Sequence, residues 1–259
     1  LARVRLEHLT TKTFNEGKFD TAIVPVGSCE SHGDHMPFGT DALIAHELSL
    51  AVADRLDRTA VLPPTSFGYS HLYRHKPMAI SLRQETNISL ITDILRSLAY
   101  WKIKNVLIIN GHDGNIAAMD VAAHNVREEH PEMNVAALDA WWVAIENLVD
   151  TDFFEAWGGR GHGGEAETSL GLALIPQYMD MQLARGMIPD VDPNVRQYWH
   201  FSELTGYGAS GDPTKATLKK GEAMRDTLVE YVANFMTKRR EQNWTYSPRP
   251  MGPPEGPNS

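Results

Sequence analysis

The stretch VPVGSCESHGDHMPFGTD, Val24 to Asp41, holds Glu30, His32, Asp34, His35 and Asp41 within eighteen residues. The β-branched run TAIV that leads into it reads as a buried strand, ended by Gly27-Ser28. Glu30 and His32 therefore fall just past the C-terminal edge of a strand, where open α/β sheets build their sites. After Gly39-Thr40 a helical pattern, ALIAHELSLAVADRL, sets Asp41 at a helix N-terminus, which favours a carboxylate. The spacing Glu-x-His turns two side chains to one face of extended chain. Carboxylate and imidazole together suit a divalent transition metal. Taken alone, the same residues also describe a polar loop with an N-capping aspartate.

Outward from this stretch the chain alternates strand and helix. TAVLPP (59–64) reads as a second strand stopped by two prolines, and NVLII (105–109) and NVAALD (134–139) as a third and fourth. Between them, Thr86 to Lys102 carries apolar residues at helical period, and another helix follows Asn115 to about Glu129. AWWVAIENLV reads as helical, as do Glu165 to the residues before Pro176 and Lys219 to about Gln242. Residues 177–218 read as irregular. This alternation predicts a three-layer α/β/α fold with a mostly parallel central sheet. A single domain is expected over 1–245, with a disordered Pro/Gly-rich tail over 246–259.

Composition limits the function. The 259 residues are 42% hydrophobic and 22% charged, enough for a large core. With 24 basic against 33 acidic residues the net charge is −9, so no nucleic-acid partner is expected. The sequence shows neither an apolar run of eighteen residues nor a signal-peptide pattern, so no membrane partner is expected. The one cysteine, Cys29, precludes an intrachain disulfide framework and fits a reducing cytoplasm. It reads as a small buried hydrophobe, with nucleophile or soft ligand as the rival reading.

Three further segments bear on chemistry. His112 follows a strand inside Asn110-Gly111-His112-Asp113-Gly114-Asn115; His162 lies in a glycine-rich loop that opens a helix bearing Glu165 and Glu167. The loop 65–80 holds Ser70, His71, His75, Pro77 and Met78. Each histidine alone is as readily structural. Together, the histidines and carboxylates at strand and helix ends suit a two-metal hydrolytic site with a shared carboxylate.

PVGSCESHGDHMPFGTD resembles the creatininase (creatinine amidohydrolase) family pattern of Glu-x-His-Gly followed by Gly-Thr-Asp. NGHDGN, GHGGEAETS and YGASGDPTKAT with its following KKG resemble the family's other segments, in the same order, over about residues 20–222. The resemblance implies a metal-dependent amidohydrolase, a homo-oligomer and usually a hexamer, with two divalent ions (Zn, Mn or Fe) per subunit. It implies Glu30, Asp41 and His112 on one ion, His32 and a bridging Asp41 on the other, and His162 as the catalytic histidine. The expected substrate is a small-molecule amide, cyclic or a formamide. A formamidopyrimidine-nucleotide deformylase, a lactone hydrolase and a metal-dependent binding protein are the alternatives.

Two departures matter. Creatininase carries a carboxylate two residues after the histidine that matches His112, where this chain has Gly114. Glu165 is expected to replace it on the second metal, with Glu167 as the rival ligand or a supporting residue. Met78-Ala79 stand where the family has Gly-Thr, which argues against creatinine itself. Ser70, Asp113 and Trp157 are the expected substrate contacts. The aromatics Trp141, Trp142, Phe153 and Phe154 are expected to cover a subunit interface.

Overall fold

The computed structural model describes residues 4–192, 195 and 197–246. After a short helix α1 (Thr11–Gly17) come β1 (Thr21–Val26), α2 (Thr40–Ala53) and β2 (Thr59–Val61). Then follow α3 (Gln84–Tyr100), β3 (Asn105–Asn110), α4 (Ile116–Glu129) and β4 (Asn134–Leu138). The chain ends with α5 (Trp141–Glu146), α6 (Glu165–Leu174), α7 (Phe201–Leu204) and α8 (Leu218–Glu241). The four strands form one parallel sheet in the order β2-β1-β3-β4.

Alternate strand residues serve opposite faces, as a period of two requires. Ile23, Leu107 and Ile109 pack against α2, α5, α6 and α8 in one apolar cluster, while Val24, Val106 and Ile108 pack against α3 and α4 in the other. Helices on both faces explain why the strands are near-continuous apolar runs. Pro25 sits inside the central strand β1, an unusual position for a residue without an N–H. The pairing tolerates it: regular β1–β2 pairing ends at Ile23, and beyond it Pro25 offers the neighbouring chain only its carbonyl, which accepts from the Thr65 N–H at 3.1 Å.

Where β1 and β3 end, the N-terminus of α2 is driven between them. A Cβ on Gly27 would lie 2.4 Å from the Ala42 backbone, and one on Gly111 would lie 2.2 Å from the Asp41 carbonyl oxygen. Only glycine at both strand ends lets α2 approach this closely. Nearly all of α2 is buried.

The aromatics expected at a subunit interface pack inside the chain instead. Trp141 is 1% exposed, and Trp142, Phe153 and Phe154 are half-buried against the same core cluster. They give no support to an interface. Within 177–218, read as irregular, the chain forms α7 and short 3₁₀ turns such as Pro213–Lys215. Of the expected tail, residues 247–259 lie outside the described residues. Among the described residues no helix is long and apolar enough to cross a membrane.

Gly111→Ala should cost about 3 kcal/mol of stability, as overpacking against backbone does. Gly206→Ala, where an added Cβ meets nothing within 4 Å, should stay within about 0.5 kcal/mol of the parent. Urea denaturation of the two variants side by side reads the difference, and equal midpoints would refute the wedge argument.

Candidate metal centre

Asp41, in the first turn of α2, stands at the middle of the site. Its Oδ1 lies 2.8 Å from His32 Nε2, and its Oδ2 lies 3.2 Å from His112 Nδ1. Glu30 Oε1 lies 3.3 Å from His112 Nδ1, and Glu167 Oε1 lies 3.7 Å from His32 Nε2. His162 Nε2 is 3.7 Å from Glu30 Oε1, and its ring lies 4.0 Å from that of His32. Three triads of donor atoms converge: Glu30, Asp41 and His112; His32, Asp41 and Glu167; and Glu30, His32 and His162. The first two share Asp41.

The backbone sets which nitrogen of each histidine is presented. His32 Nδ1 lies 3.3 Å from the Glu30 carbonyl, which leaves Nε2 for the cluster. His112 Nε2 lies 2.9 Å from the Tyr69 carbonyl, which leaves Nδ1. Such outer hydrogen bonds are what orient metal-ligating imidazoles. Glu30 Oε2 accepts from Ser28 Oγ at 3.0 Å, and Ser28 in turn contacts Ser70.

Charge and satisfaction both point to a cation. Glu30 Oε1, His32 Nε2 and Asp41 Oδ2 are buried and lack a hydrogen bond of acceptable geometry, although each lies within 4 Å of an opposite partner. Burial opposes charge on His32, yet Asp41, Glu167 and Glu30 raise it to about 10, and His112 is likewise held well above its usual value. Burial lifts Glu167 to about 7. The carboxylates thus hold the His32 and His112 imidazoles towards the protonated form. Divalent ions held by carboxylate oxygens and imidazole nitrogens would supply the same balance, and separations near 3 Å between donors suit bonds of about 2 Å. The residues present fit such ions.

Glu165 does not join the cluster, which corrects the expectation from sequence. It is fully buried on the other side of α6. There its carboxylate accepts from the Glu155 and Ala156 backbone N–H groups at 3.1 and 2.8 Å, and pairs with Lys220 Nζ at 2.6 Å. Residues two apart on a helix point about 200° from each other, so only one of the two glutamates can face the cluster, and it is Glu167. Gly114 is no empty ligand position either. A Cβ there would lie 2.1 Å from the Tyr69 carbonyl and 2.6 Å from His112 Nε2. The hydrogen bond that orients His112 takes up the space a carboxylate would need.

The expected substrate contacts divide. Asp113 lines two cavities, of about 440 and 410 Å³, that flank the cluster. Ser70 is fully buried behind Glu30 and lines neither, and Trp157 is 36% exposed and lines neither. Trp141 and Trp142 line the second cavity. His35 turns away from the cluster towards Thr168, and burial pushes it down to about 4. Burial, Glu30 and Asp41 push the Cys29 thiol up, and Cys29 stands in none of the three triads. Asn115, the N-cap of α4, instead braces the strand ends, its Nδ2 donating to the Gly27 carbonyl at 3.0 Å.

Tyr73 was not singled out from sequence. It lies in the turn His71–Tyr73, its ring stacks on His162 at 4.3 Å, and it lines both cavities. Phe201 of α7 packs on both rings, at 4.7 and 5.1 Å. The one hint in the sequence is an aromatic between two histidines in HLYRH.

Glu165→Gln should keep its metal content and lose about 2 kcal/mol of stability, since it unpairs a buried charge. Glu167→Gln should do the reverse and lose metal with little change in stability. Elemental analysis and thermal unfolding of both variants check this; metal loss in the Glu165 variant alone would reverse the assignment.

Comparison with known proteins agrees with this geometry. The family model for creatininase, described as creatinine amidohydrolase, matches residues 7–236. A mycofactocin precursor peptide peptidase of Mycobacterium ulcerans is 28% identical over 260 residues, covering 95% of each chain. A creatinine amidohydrolase of Pseudomonas putida is 27% identical over 82% of this chain and 86% of its own. A manganese creatininase structure superposes with a TM-score of 0.78 at 26% identity, covering 92% of this chain and 98% of that one. A mutant creatininase of Zn-Zn type gives the same score. Motif order, a parallel sheet with helices on both faces and a histidine–carboxylate cluster at its C-terminal edge agree with one another: this chain belongs to the creatininase family of hydrolases acting on carbon–nitrogen bonds.

Proposed function

We propose that the chain hydrolyses a C–N amide bond of a small organic molecule, with two divalent ions (Zn, Mn or Fe) held at Asp41. The observation that carries this reading is the sharing of Asp41 between two triads, Glu30/Asp41/His112 and His32/Asp41/Glu167. Such ions, when bound, polarise a carbonyl and bring the ionisation of water towards neutral pH.

The chain's own residues do the rest. Burial and the proton on the neighbouring His32 push His162 down to about 3; with His32 holding a metal ion in place of that proton, His162 can take up and release one. Its Nε2 faces the Ser31 carbonyl at 2.6 Å, so that nitrogen bears the hydrogen and Nδ1 the lone pair. His162, beside the cluster, takes a proton from the attacking water and passes it to the departing nitrogen. One water is consumed, its oxygen bonding to the acyl carbon and its hydrogen ending on the amine. Glu30 and Glu167 fix the histidines, and Trp142 walls the cavity against solvent.

The two cavities favour an elongated substrate over a single small ring. Creatinine would fill only a fraction of either, and Met78 of the 65–80 loop is 61% exposed instead of closing a tight pocket. A second reading, a segment of a precursor peptide, is favoured by the same two-sided geometry and by the peptidases among the relatives. A cytoplasmic location is supported by the single free cysteine. A homo-oligomer, hexameric by resemblance, rests on family likeness alone; light scattering at the 28.9 kDa of one chain would contradict it.

The test is a panel of creatinine, cyclic amides, N-formyl compounds, a lactone and short peptides, assayed after chelation and after return of each metal. Metal-dependent release of amine from an elongated amide is expected, with creatinine turned over far more slowly. Asp41→Ala should lose metal and at least about 10³-fold in kcat, since this chemistry is worth several kcal/mol. Full metal content and rate in that variant would overturn the proposal.

A further inference from the structure

Among the described residues, three line both cavities: Tyr73, His112 and Asp113. His112 is held in the cluster, and Asp113 offers a carboxylate, which is an acceptor. Tyr73 is the one of the three that brings a neutral hydrogen-bond donor to the place where the cavities meet. Any molecule that spans them passes its phenol.

The phenol is held in place from several sides. Ser70, at the head of its turn, contacts Ser28, which donates to Glu30; the Tyr73 backbone N–H donates to the Ser70 carbonyl at 3.1 Å. Its ring lies between His162 and Phe201, at 4.3 and 4.7 Å. No described residue hydrogen-bonds its hydroxyl. Tyr73 lines both cavities that flank the cluster, and Glu30, Asp41, Asp113 and Glu167 all act on it electrostatically. A rigidly mounted donor that the fold itself does not use is available to a substrate.

Resting on the hydrolase reading above, we propose that Tyr73 is a further catalytic residue, whose hydroxyl donates a hydrogen bond to the substrate carbonyl oxygen as negative charge develops on it. The geometry suits a division of labour with His162. The oxygen and nitrogen of one amide lie only about 2.2 Å apart, so the groups that serve them must be neighbours. A phenol stacked on the imidazole meets that demand. Tyr73 neither gains nor loses a proton: water supplies the hydrogen that His162 moves to nitrogen, and the hydroxyl only stabilises the oxygen in passing. A donor aimed at developing charge acts on kcat more than on KM.

The experiment compares Tyr73→Phe and Tyr73→Ala with the parent holoenzyme in metal content, kcat, KM and affinity for a phosphinic dipeptide, a tetrahedral mimic. The phenylalanine keeps the stack and removes only the hydroxyl. It should retain metal and KM, lose about 10²-fold in kcat as loss of one such donor does, and bind the phosphinic probe more weakly by a similar factor. The alanine variant should lose at least as much. If the parent hydrolyses amides and Tyr73→Phe keeps both its kcat and its grip on the probe, the Tyr73 proposal fails and the hydrolase reading stands. If the parent hydrolyses nothing on the panel yet binds the probe in a Tyr73-dependent way, the hydrolase reading fails and the hydroxyl's role as donor stands. Neither turnover nor Tyr73-dependent binding overturns both.

Discussion

The N-terminus of α2, pressed between the ends of β1 and β3, is the contact on which the site depends. Gly27 and Gly111 carry no side chain, so Ala42 and Asp41 can approach the strand ends to within what a Cβ would forbid. The approach puts the Asp41 carboxylate between residues that follow the two strands, Glu30 and His32 on one side and His112 on the other. Parallel pairing of β1 with β3 fixes the spacing of those ends. The sheet therefore acts as a jig: its register decides where the ligands stand, and the helix supplies the shared carboxylate.

Electrostatics then explains why the cluster takes this form. Four nearly solvent-free acids and imidazoles, Glu30, His32, Asp41 and His112, are costly unless each charge is paired. Here each imidazole is ringed by carboxylates and is raised by them, against its burial. An apolar core of the same volume would be simpler to build, so the arrangement makes sense as a receptacle for cations. His162 stands in the same group yet is driven the opposite way, towards neutrality, by burial and by the charge on His32. Two histidines whose rings are 4.0 Å apart are thus driven in opposite directions by their neighbours.

The family likeness is strong in architecture and looser at the second metal position. The carboxylate expected after His112 is replaced by Gly114, where the Tyr69 carbonyl leaves no room for one. Glu167 approaches from α6 instead, and its Oε2 also accepts from the Gly163 N–H at 2.6 Å. The same glycine-rich segment carries His162, so the Glu167 carboxylate and the His162 imidazole are tied together through one short loop. Glu165 anchors the start of that loop from the far side of the helix, through the Glu155 and Ala156 N–H groups and Lys220.

Strand and helix placement could be read from the chain because it depends on local periodicity: continuous β-branched runs for a sheet covered on both faces, and a 3.6-residue pattern for α3 and α4. Glu30, His32, Asp41 and His112 were legible for the same reason: Glu30, His32 and His112 follow strands whose ends glycine marks, and Asp41 opens a helix just after Gly39. What sequence could not decide was which of Glu165 and Glu167 faces the cluster. Both lie in the first turn of α6, and spacing says only that they diverge. The rotation of the helix is set by its packing against α8, where Lys220 captures Glu165. Tyr73 was hidden for a like reason. Nothing local distinguishes an aromatic in a loop from one that stacks on a histidine 89 positions away, His162. Local order came from the sequence by itself; which side chains meet across elements was decided only when packing fixed the rotation of each helix and the path of each loop.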